Sequence, residues 1–456
     1  MKKRVMSQEE ILIKKAKKIS IKEGSFFTIS EGFGMRYITP YALALGANNS
    51  HIGFLNSLPT MLGNFSKLLT PWFMERFSRR SIALFGASFQ ALMWLVVLYV
   101  GHLYFNSKSN APVLLILVYS LLIMFGAFYG PAWSSWMKDL LTKNSGRYFG
   151  RRSKITGFFV LISMLIGGFI LDYFKQTRIF IGFIILFGAA FLARSLSAFL
   201  FTKKYEPRLQ LKPGYYFSFF QFLKRMPFNN FGRFVMFLAF VQLATAIASP
   251  FFTVYMLKDL QFSYVEWVII NISSSLISLL FLPVWGKFAD RFGNLRVMKI
   301  TGYFIPLVPL LWLFSVIFDK HIFAYLILVE AFSGFAWAGF NLSSSTYIYD
   351  AVSRSRMAIC VAYSDILNGI GVFIGASLGG YLSNNGVVFL GLTPLLFVFF
   401  ISFLARVFAV WVFLPGIREV REVESLGIRH VKKVFTAMGS EKISKYYDML
   451  TRTRPL

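Results

Sequence analysis

Long apolar runs separated by short polar interruptions dominate this chain. Stretches of about 20 apolar residues, the length that crosses a bilayer core, recur along it. They lie at roughly 24–46, 51–74, 80–105, 112–136, 154–174, 179–201, 232–256, 264–285, 297–318, 322–348, 358–382 and 387–414. The pattern predicts an all-α integral membrane protein with twelve transmembrane helices. Pro40, Pro59, Pro131, Pro250 and Pro306 fall inside these spans; membrane helices tolerate them because neighbours satisfy the freed backbone groups. The longest internal loop, 202–231, divides the chain into two six-helix bundles, 24–201 and 232–414. A segment 1–23 precedes the first bundle and a tail 415–456 follows the second.

The first segment reads as an amphipathic surface helix. Ser7 with Glu10 three residues on is a capping box, and Ile11, Leu12 and Ile19 are placed to dip into the interface while the lysines stay wet. No cleavable signal peptide is expected there. YYFSFFQFLKRM, Tyr215 to Met226, has the same character within the middle loop, and the tail is expected to be helical in part.

Composition agrees with the spans: of 456 residues 56% are hydrophobic and only 15% charged, with 54 phenylalanines. A soluble chain of this size needs far more polar surface. The single cysteine, Cys360, excludes an internal disulfide. The net charge of +28 acquires meaning only from its placement. Five basic residues (Lys108, Lys175, Arg178, Lys258, Lys320) fall on one side and four (Arg36, Lys67, Arg194, Arg406) within spans, leaving 39 of the 48 on the other side. The positive-inside rule puts that side, and both termini, in the cytoplasm. Anionic lipid headgroups are the expected counter-surface, nucleic acid is not an expected partner, and the protein is expected in the cell (plasma) membrane as a monomer.

The two halves repeat. GKFADRFGN, Gly286 to Asn294, packs three charges between apolar runs, and PWFMERFSRR, Pro71 to Arg80, has a similar layout with Glu75 lying 215 residues before Asp290. FLAR occurs at Phe191–Arg194 and again at Phe403–Arg406, an offset of 212. Asp139 and Asp350 are 211 apart in matching loops, and GGF at 167–169 answers GGY at 379–381. An ordered set of landmarks at nearly one offset marks a duplicated six-helix unit.

Twelve spans, two parallel halves, a long middle loop and charged knots after the second and eighth spans resemble the major facilitator superfamily over nearly the whole chain. The most specific element is the signature G-x-x-x-D-R-x-G-R-R. The second half keeps Gly286, Asp290, Arg291 and Gly293, departs with Asn294 and regains a basic residue at Arg296. The first half is looser, with Pro71 and Ser78 in place of the glycines, but keeps Glu75, Arg76, Arg79 and Arg80. The resemblance implies knots that latch the cytoplasmic side. Glu75 and Asp290 would sit against helix N-termini, where the dipole favours negative charge; Arg79 would reach Asp139, and Arg296 would reach Asp350. The alternative is that these charges anchor loops and set topology.

Ionisable residues at membrane depth are costly and are candidates for function. In ISEGFGMRYITPYA, Arg36 is expected near the midplane as a contact for an anionic solute, or as the partner of Glu330 or Asp365. Glu31, five residues back and about 140° around a helix, is expected to face elsewhere. Asp365 and Asn368 share a helical face. Glu31, Glu330 and Asp365 are candidates to carry a coupling proton, since burial favours a neutral carboxyl. Gln242, Asn271, Asn64 and Asn341 either line the same cavity or bridge helices. Arg194 and Arg406 lie within snorkelling reach of helix ends and are expected to be structural. Trp94, Trp133, Trp136, Trp267 and Trp312 are expected in the interface belt or in packing, whereas Trp337, deep among small residues, is a candidate cavity residue.

No phosphate-binding loop, H-E-x-x-H motif, paired cysteines or nucleophile elbow occurs, and the four histidines stand apart. No cofactor, no metal and no enzymatic activity are expected. The resulting expectation is a secondary active transporter of a small-molecule solute, with a proton as a candidate co-substrate. An efflux pump for hydrophobic compounds, a non-transporting membrane sensor and a lipid-handling protein that moves headgroups through the cleft are the alternatives.

Overall fold

A computed structural model describes residues 7–107, 110–141, 145–176, 178–207, 218–318, 320–353, 356–384 and 392–423. The tail beyond 423, with its expected helix, lies outside the described residues, as do residues 215–217 of the middle loop.

The first half runs through α1 (Gln8–Phe33, resumed at Ile38–Ala44), α2 (Asn49–Ser66, resumed at Thr70–Met74), α3 (Arg79–Ser107), α4 (Ala111–Phe128 and Gly130–Leu140), α5 (Ser145–Phe174) and α6 (Ile179–Thr202). A short linker helix, Phe219–Arg225, leads into the second half. That half comprises α7 (Asn230–Val254), α8 (Tyr264–Phe292), α9 (Asn294–Phe304 and Leu307–Leu313), α10 (Ile322–Ala351), α11 (Met357–Asn384) and α12 (Pro394–Phe413).

Ten helices among the described residues are long and apolar enough to cross a bilayer, and they coincide with the third to twelfth expected spans. The first two expected spans are present as broken helices. Lysines crowd the first half of α1, and a 3₁₀ turn at Lys67–Leu69 interrupts α2. The predicted boundary at residue 23 does not exist as a break. The Ser7–Glu10 capping box opens one continuous 26-residue helix that carries the surface segment straight into the first span.

Where α1 does end is dictated by packing. At Gly34 any side chain would run into the Trp94 ring, which is itself fully buried. Past that contact the chain tightens into a 3₁₀ turn, Met35–Tyr37, before Ile38–Ala44 continues.

Among the described residues, one cluster of buried apolar side chains joins the halves. The largest cluster of buried side chains unites Tyr37, Ile52 and Phe183 of the first half with Phe251, Trp267 and Trp312 of the second. At the end carrying the signature turns the clusters are separate: Trp136, Leu140 and Phe201 belong to one, Phe234, Met298 and Tyr347 to another.

Polar contacts follow the same division. Along α2 and α11, Asn49 Nδ2 donates to the Ser383 carbonyl (3.3 Å) and Ser50 Oγ to the Gly380 carbonyl (3.3 Å). Across α5 and α8, Asp172 accepts the backbone N–H groups of Tyr264 (2.7 Å) and Val265 (2.8 Å), a carboxylate seated on a helix N-terminus. Between described residues, no hydrogen bond joins the halves at the signature end. Among the described residues, the polar contacts that join the halves therefore run from the end opposite the signatures, at Asn49–Ser383, as far as Lys67–Asp365.

The two signature glycines differ in what they do. Gly293 has φ +93°, and a Cβ there would strike the Glu419 carboxylate. It makes the reversal from α8 to α9 in a single residue. Gly286 lies inside α8, and a Cβ would meet nothing closer than Leu342 at 3.7 Å. Gly293→Ala should therefore lower stability by about 1–3 kcal/mol, while Gly286→Ala should be neutral or stabilise by up to about 1 kcal/mol. Thermal unfolding of the purified variants in detergent checks this; equal midpoints would refute it.

Candidate functional site

Two groups of polar side chains stand out, one in the turns at the signature end and one of half-exposed ion pairs. At the signature end, Arg79 opens α3 and is fully buried. Its guanidinium donates to Asp139 Oδ2 of α4 (2.5 Å), Glu206 Oε1 (3.2 Å), Ser135 Oγ (3.2 Å) and the Pro207 carbonyl (2.8 Å). Glu206, just after α6, also accepts the backbone N–H groups of Arg79 (2.9 Å) and Arg80 (3.2 Å). Glu206 is thus the acid on the α3 dipole. Glu75, expected in that role, is exposed at the end of the short helix Thr70–Met74, and Arg76 stacks on Trp72 instead, 4.3 Å from the ring centre.

The second half solves the problem with its counterpart. Glu419, just after α12 and 213 residues beyond Glu206, accepts the Leu295 N–H at the start of α9 (2.8 Å). Asp290 is exposed, not the dipole partner expected of it, and Arg291 lies over the Phe292 ring, 5.2 Å from its centre. Asp350 is held by Asn294 Nδ2 (2.6 Å) and Arg421 (4.0 Å) rather than by Arg296. Asn294 therefore occupies the place of Arg79, and a charge–charge contact becomes a charge–amide one. Both knots tie helices within a half.

The paired arginines in FLAR do not snorkel. Arg194 and Arg406 are both 1% exposed. Arg194 donates to Gln90 Oε1 (2.6 Å), Ser197 Oγ (2.8 Å) and Tyr129 OH (2.8 Å). Glu23 of α1, buried beside it, accepts from Ser197 Oγ and faces Arg152 at 3.8 Å. Arg406 donates to the Ile305 carbonyl (3.1 Å), the Thr245 carbonyl (3.4 Å) and Ser402 Oγ (3.2 Å). Each arginine cross-braces its own half, because a buried guanidinium persists only where its donors are met.

Two half-exposed ion pairs behave differently, one within α1 and one bridging α2 and α11. Arg36 Nη2 lies 2.7 Å from Glu31 Oε1. The helical argument that set these two apart fails because α1 breaks at Gly34 and the 3₁₀ turn swings Arg36 back over the last turn. Neither Glu330 nor Asp365 is the partner of Arg36. Asp365 pairs instead with Lys67 Nζ of α2 (2.9 Å), which also meets Asn64 Oδ1 (2.9 Å), and Asn64 Nδ2 donates to the Asp365 carbonyl (2.8 Å). Lys67, Asn64 and Asp365 form the polar contact between α2 and α11 nearest the signature end. One turn further along α11, Asn368 Oδ1 is buried without a hydrogen-bond partner.

Among described contacts, the other candidates stay apart from these pairs. Glu330 accepts from Trp312 Nε1 (3.1 Å), Asn271 turns back to the Trp267 carbonyl (2.8 Å), and Trp337 packs edge-on to Phe340 at 5.6 Å. Gln242 is half-buried on α7, and Asn341 is exposed on α10. Sequence reasoning overlooked Lys67, although it was visible as one of four basic residues within the spans. Glu206 and Glu419 were also missed; their offset of 213 was the available signal.

The model of the Major Facilitator Superfamily matches residues 24–270 and again 234–441. Among solved structures, the nucleoside transporter NupG is 17% identical with TM-score 0.66, over 89% of this chain and 98% of that one. A bacterial homologue of the iron transporter ferroportin in an inward-facing state gives 12% identity and TM-score 0.67, over 90% and 99% of the chains. A bacterial ferroportin homologue in an outward-facing state with soaked iron gives 12% and 0.56, over 87% and 98%. No curated protein sequence matches. With the family model covering both repeats, the chain belongs to the Major Facilitator Superfamily.

Proposed function

We propose that this membrane transporter carries a small polar solute by alternating access through the cleft between α1–α6 and α7–α12. The observation that carries this reading is the half-open Lys67–Asp365 pair, which bridges α2 and α11 across the halves; this reading sets the half-open Arg36–Glu31 pair of α1 on the same cleft. The side chains of Arg36 and Glu31 are 50% and 26% exposed, those of Lys67 and Asp365 30% and 35%. A charge open to lipid near the bilayer centre costs about 2.5–3.5 kcal/mol or more, so exposure there argues for water between the halves. Both signs of charge face that water, which suits an ionic or zwitterionic solute. A hydrophobic cargo would gain nothing from desolvating two ion pairs, and the efflux reading is correspondingly less favoured.

The excess of basic residues at the signature end supports reading that end, and both termini, as cytoplasmic in a cell membrane, and this conformation as inward-open. The better superposition on the inward-facing structure supports that assignment. Lys67–Asp365 then marks the inner limit of the contact between α2 and α11. A solute or proton that competes for either member weakens the bond holding α2 to α11, and so favours one state over the other. Glu31 and Asp365 are the acids this reading assigns to coupling, with Glu330 outside the cleft pairs.

Flux into proteoliposomes, screened over charged and zwitterionic solutes, tests the reading. Arg36→Ala and Asp365→Asn should each cut flux by about tenfold or more, a loss of about 1.4 kcal/mol. Exchanging the charges, Lys67→Asp with Asp365→Lys, should restore part of it. Unchanged flux in both single variants would remove these pairs from transport.

The rocking motion has its own test. Asn49→Cys with Ser383→Cys, in a Cys360→Ser background, should cross-link under oxidation, stop flux, and recover on reduction. Continued flux through the cross-linked protein would rule out opening at that end.

A further inference from the structure

A pocket of about 460 Å³ opens at the signature end of the first half, away from the cleft. Three separate elements build it: the first turns of α1 with Leu12 and Lys15, the start of α3 with Ser78 just before it and Arg80 within it, and the segment after α6 with Lys203, Lys204 and Glu206. Its volume falls in the range of about 300–1,000 Å³ typical of ligand sites. Four cations and one carboxylate line it, and the carboxylate is already engaged. Glu206 is bound to the Arg79 side chain and to two backbone amides of α3. The next amide, Ser81 N–H, is taken by Ser78 Oγ (3.1 Å). The helix end is therefore satisfied, whereas two of the side-chain cations are not.

Two of those cations are short of acceptors. Arg80 Nε is buried with no hydrogen-bond partner. Lys204 is fully buried, yet its ammonium meets only Met137 Sδ (3.2 Å) and aromatic faces, chiefly Trp136 at 4.2 Å. Burying cations without an oxygen acceptor is expensive. One multidentate anion would answer Lys15, Arg80 and Lys203 together, with the buried charge of Lys204 beneath it, since phosphate oxygens bind cations from several directions. Leu12, 41% exposed at the mouth, adds an apolar edge. We propose that this pocket binds a phosphate group, carried either by an anionic lipid headgroup or by a soluble phosphate.

The Lys204 ammonium bears on the pH dependence. Burial pushes it down to about 8. Glu23 on α1 and Glu206 beside it act upward, while Arg152 on α5 and Arg79 on α3 act downward. Lys204 is thus charged below about 8, and affinity for an anion of fixed charge should fall as pH rises through that value.

The test uses the full chain in detergent and in phosphatidylcholine nanodiscs with and without phosphatidylglycerol. Native mass spectrometry should find phosphatidylglycerol retained over phosphatidylcholine by about tenfold or more. Arg80→Gln, Lys203→Gln and Lys204→Met should each erase most of that preference, while Lys175→Gln at the opposite end should not. Lys203 is exposed, so its variant reports on binding even if another fails to fold. Inorganic phosphate at millimolar concentration, read as a rise in the unfolding midpoint, separates the sources. A variant-sensitive rise without lipid preference identifies a soluble phosphate; variant-sensitive lipid retention without a rise identifies a headgroup. The pH step near 8 should vanish in Lys204→Met. If all three variants keep wild-type lipid retention and the wild-type response to phosphate, the proposal is overturned.

Discussion

A charge placed inside a bilayer must be met by an opposite charge, by a dipole or by water, and each choice builds a different part of this molecule. Arg194 and Arg406 are met by protein oxygens and become braces inside rigid halves. Glu206 and Glu419 are met by helix N-termini and fasten the segments after α6 and α12 to α3 and α9. Arg36, Glu31, Lys67 and Asp365 are met partly by each other and are partly exposed, and the Lys67–Asp365 pair bridges the two halves. The division between scaffold and working surface is a division between ways of answering the same cost.

The two halves apply one plan with unequal chemistry. Arg79 with Asp139 and Glu206 in the first half corresponds to Asn294 with Asp350 and Glu419 in the second. The neutral amide of Asn294 also accepts from Thr346 Oγ1 at 2.6 Å, and Arg421 restores the missing positive charge from the tail side. The duplicated skeleton thus survives the loss of an ion pair by recruiting a residue from a different segment.

Much of the fold was legible along the chain, because span length and repeat offset are local or periodic quantities. The third to twelfth spans and the Ser7–Glu10 cap follow from such patterns, and the Arg79–Asp139 contact from the family resemblance. What was not legible depends on who packs against whom. Whether Glu31 and Arg36 face each other is decided by Trp94 arriving from α3 to end a helix at Gly34. The acid that caps α3 comes from 127 residues further along, so no window of sequence around the signature contains it. Lys67 was visible as a charge, but only the packing of α2 on α11 names its partner. The knots and the cleft pairs were distinguished by position alone, and position is a tertiary quantity.

Gln8–Phe33 is a single unbroken rod, about 39 Å long at 1.5 Å per residue. One end stands beside the basic pocket and the other carries Glu31, one turn short of the break. A stiff helix of that length transmits tilt as a tiller does: a small displacement at its basic end is delivered to the Glu31–Arg36 pair at the other.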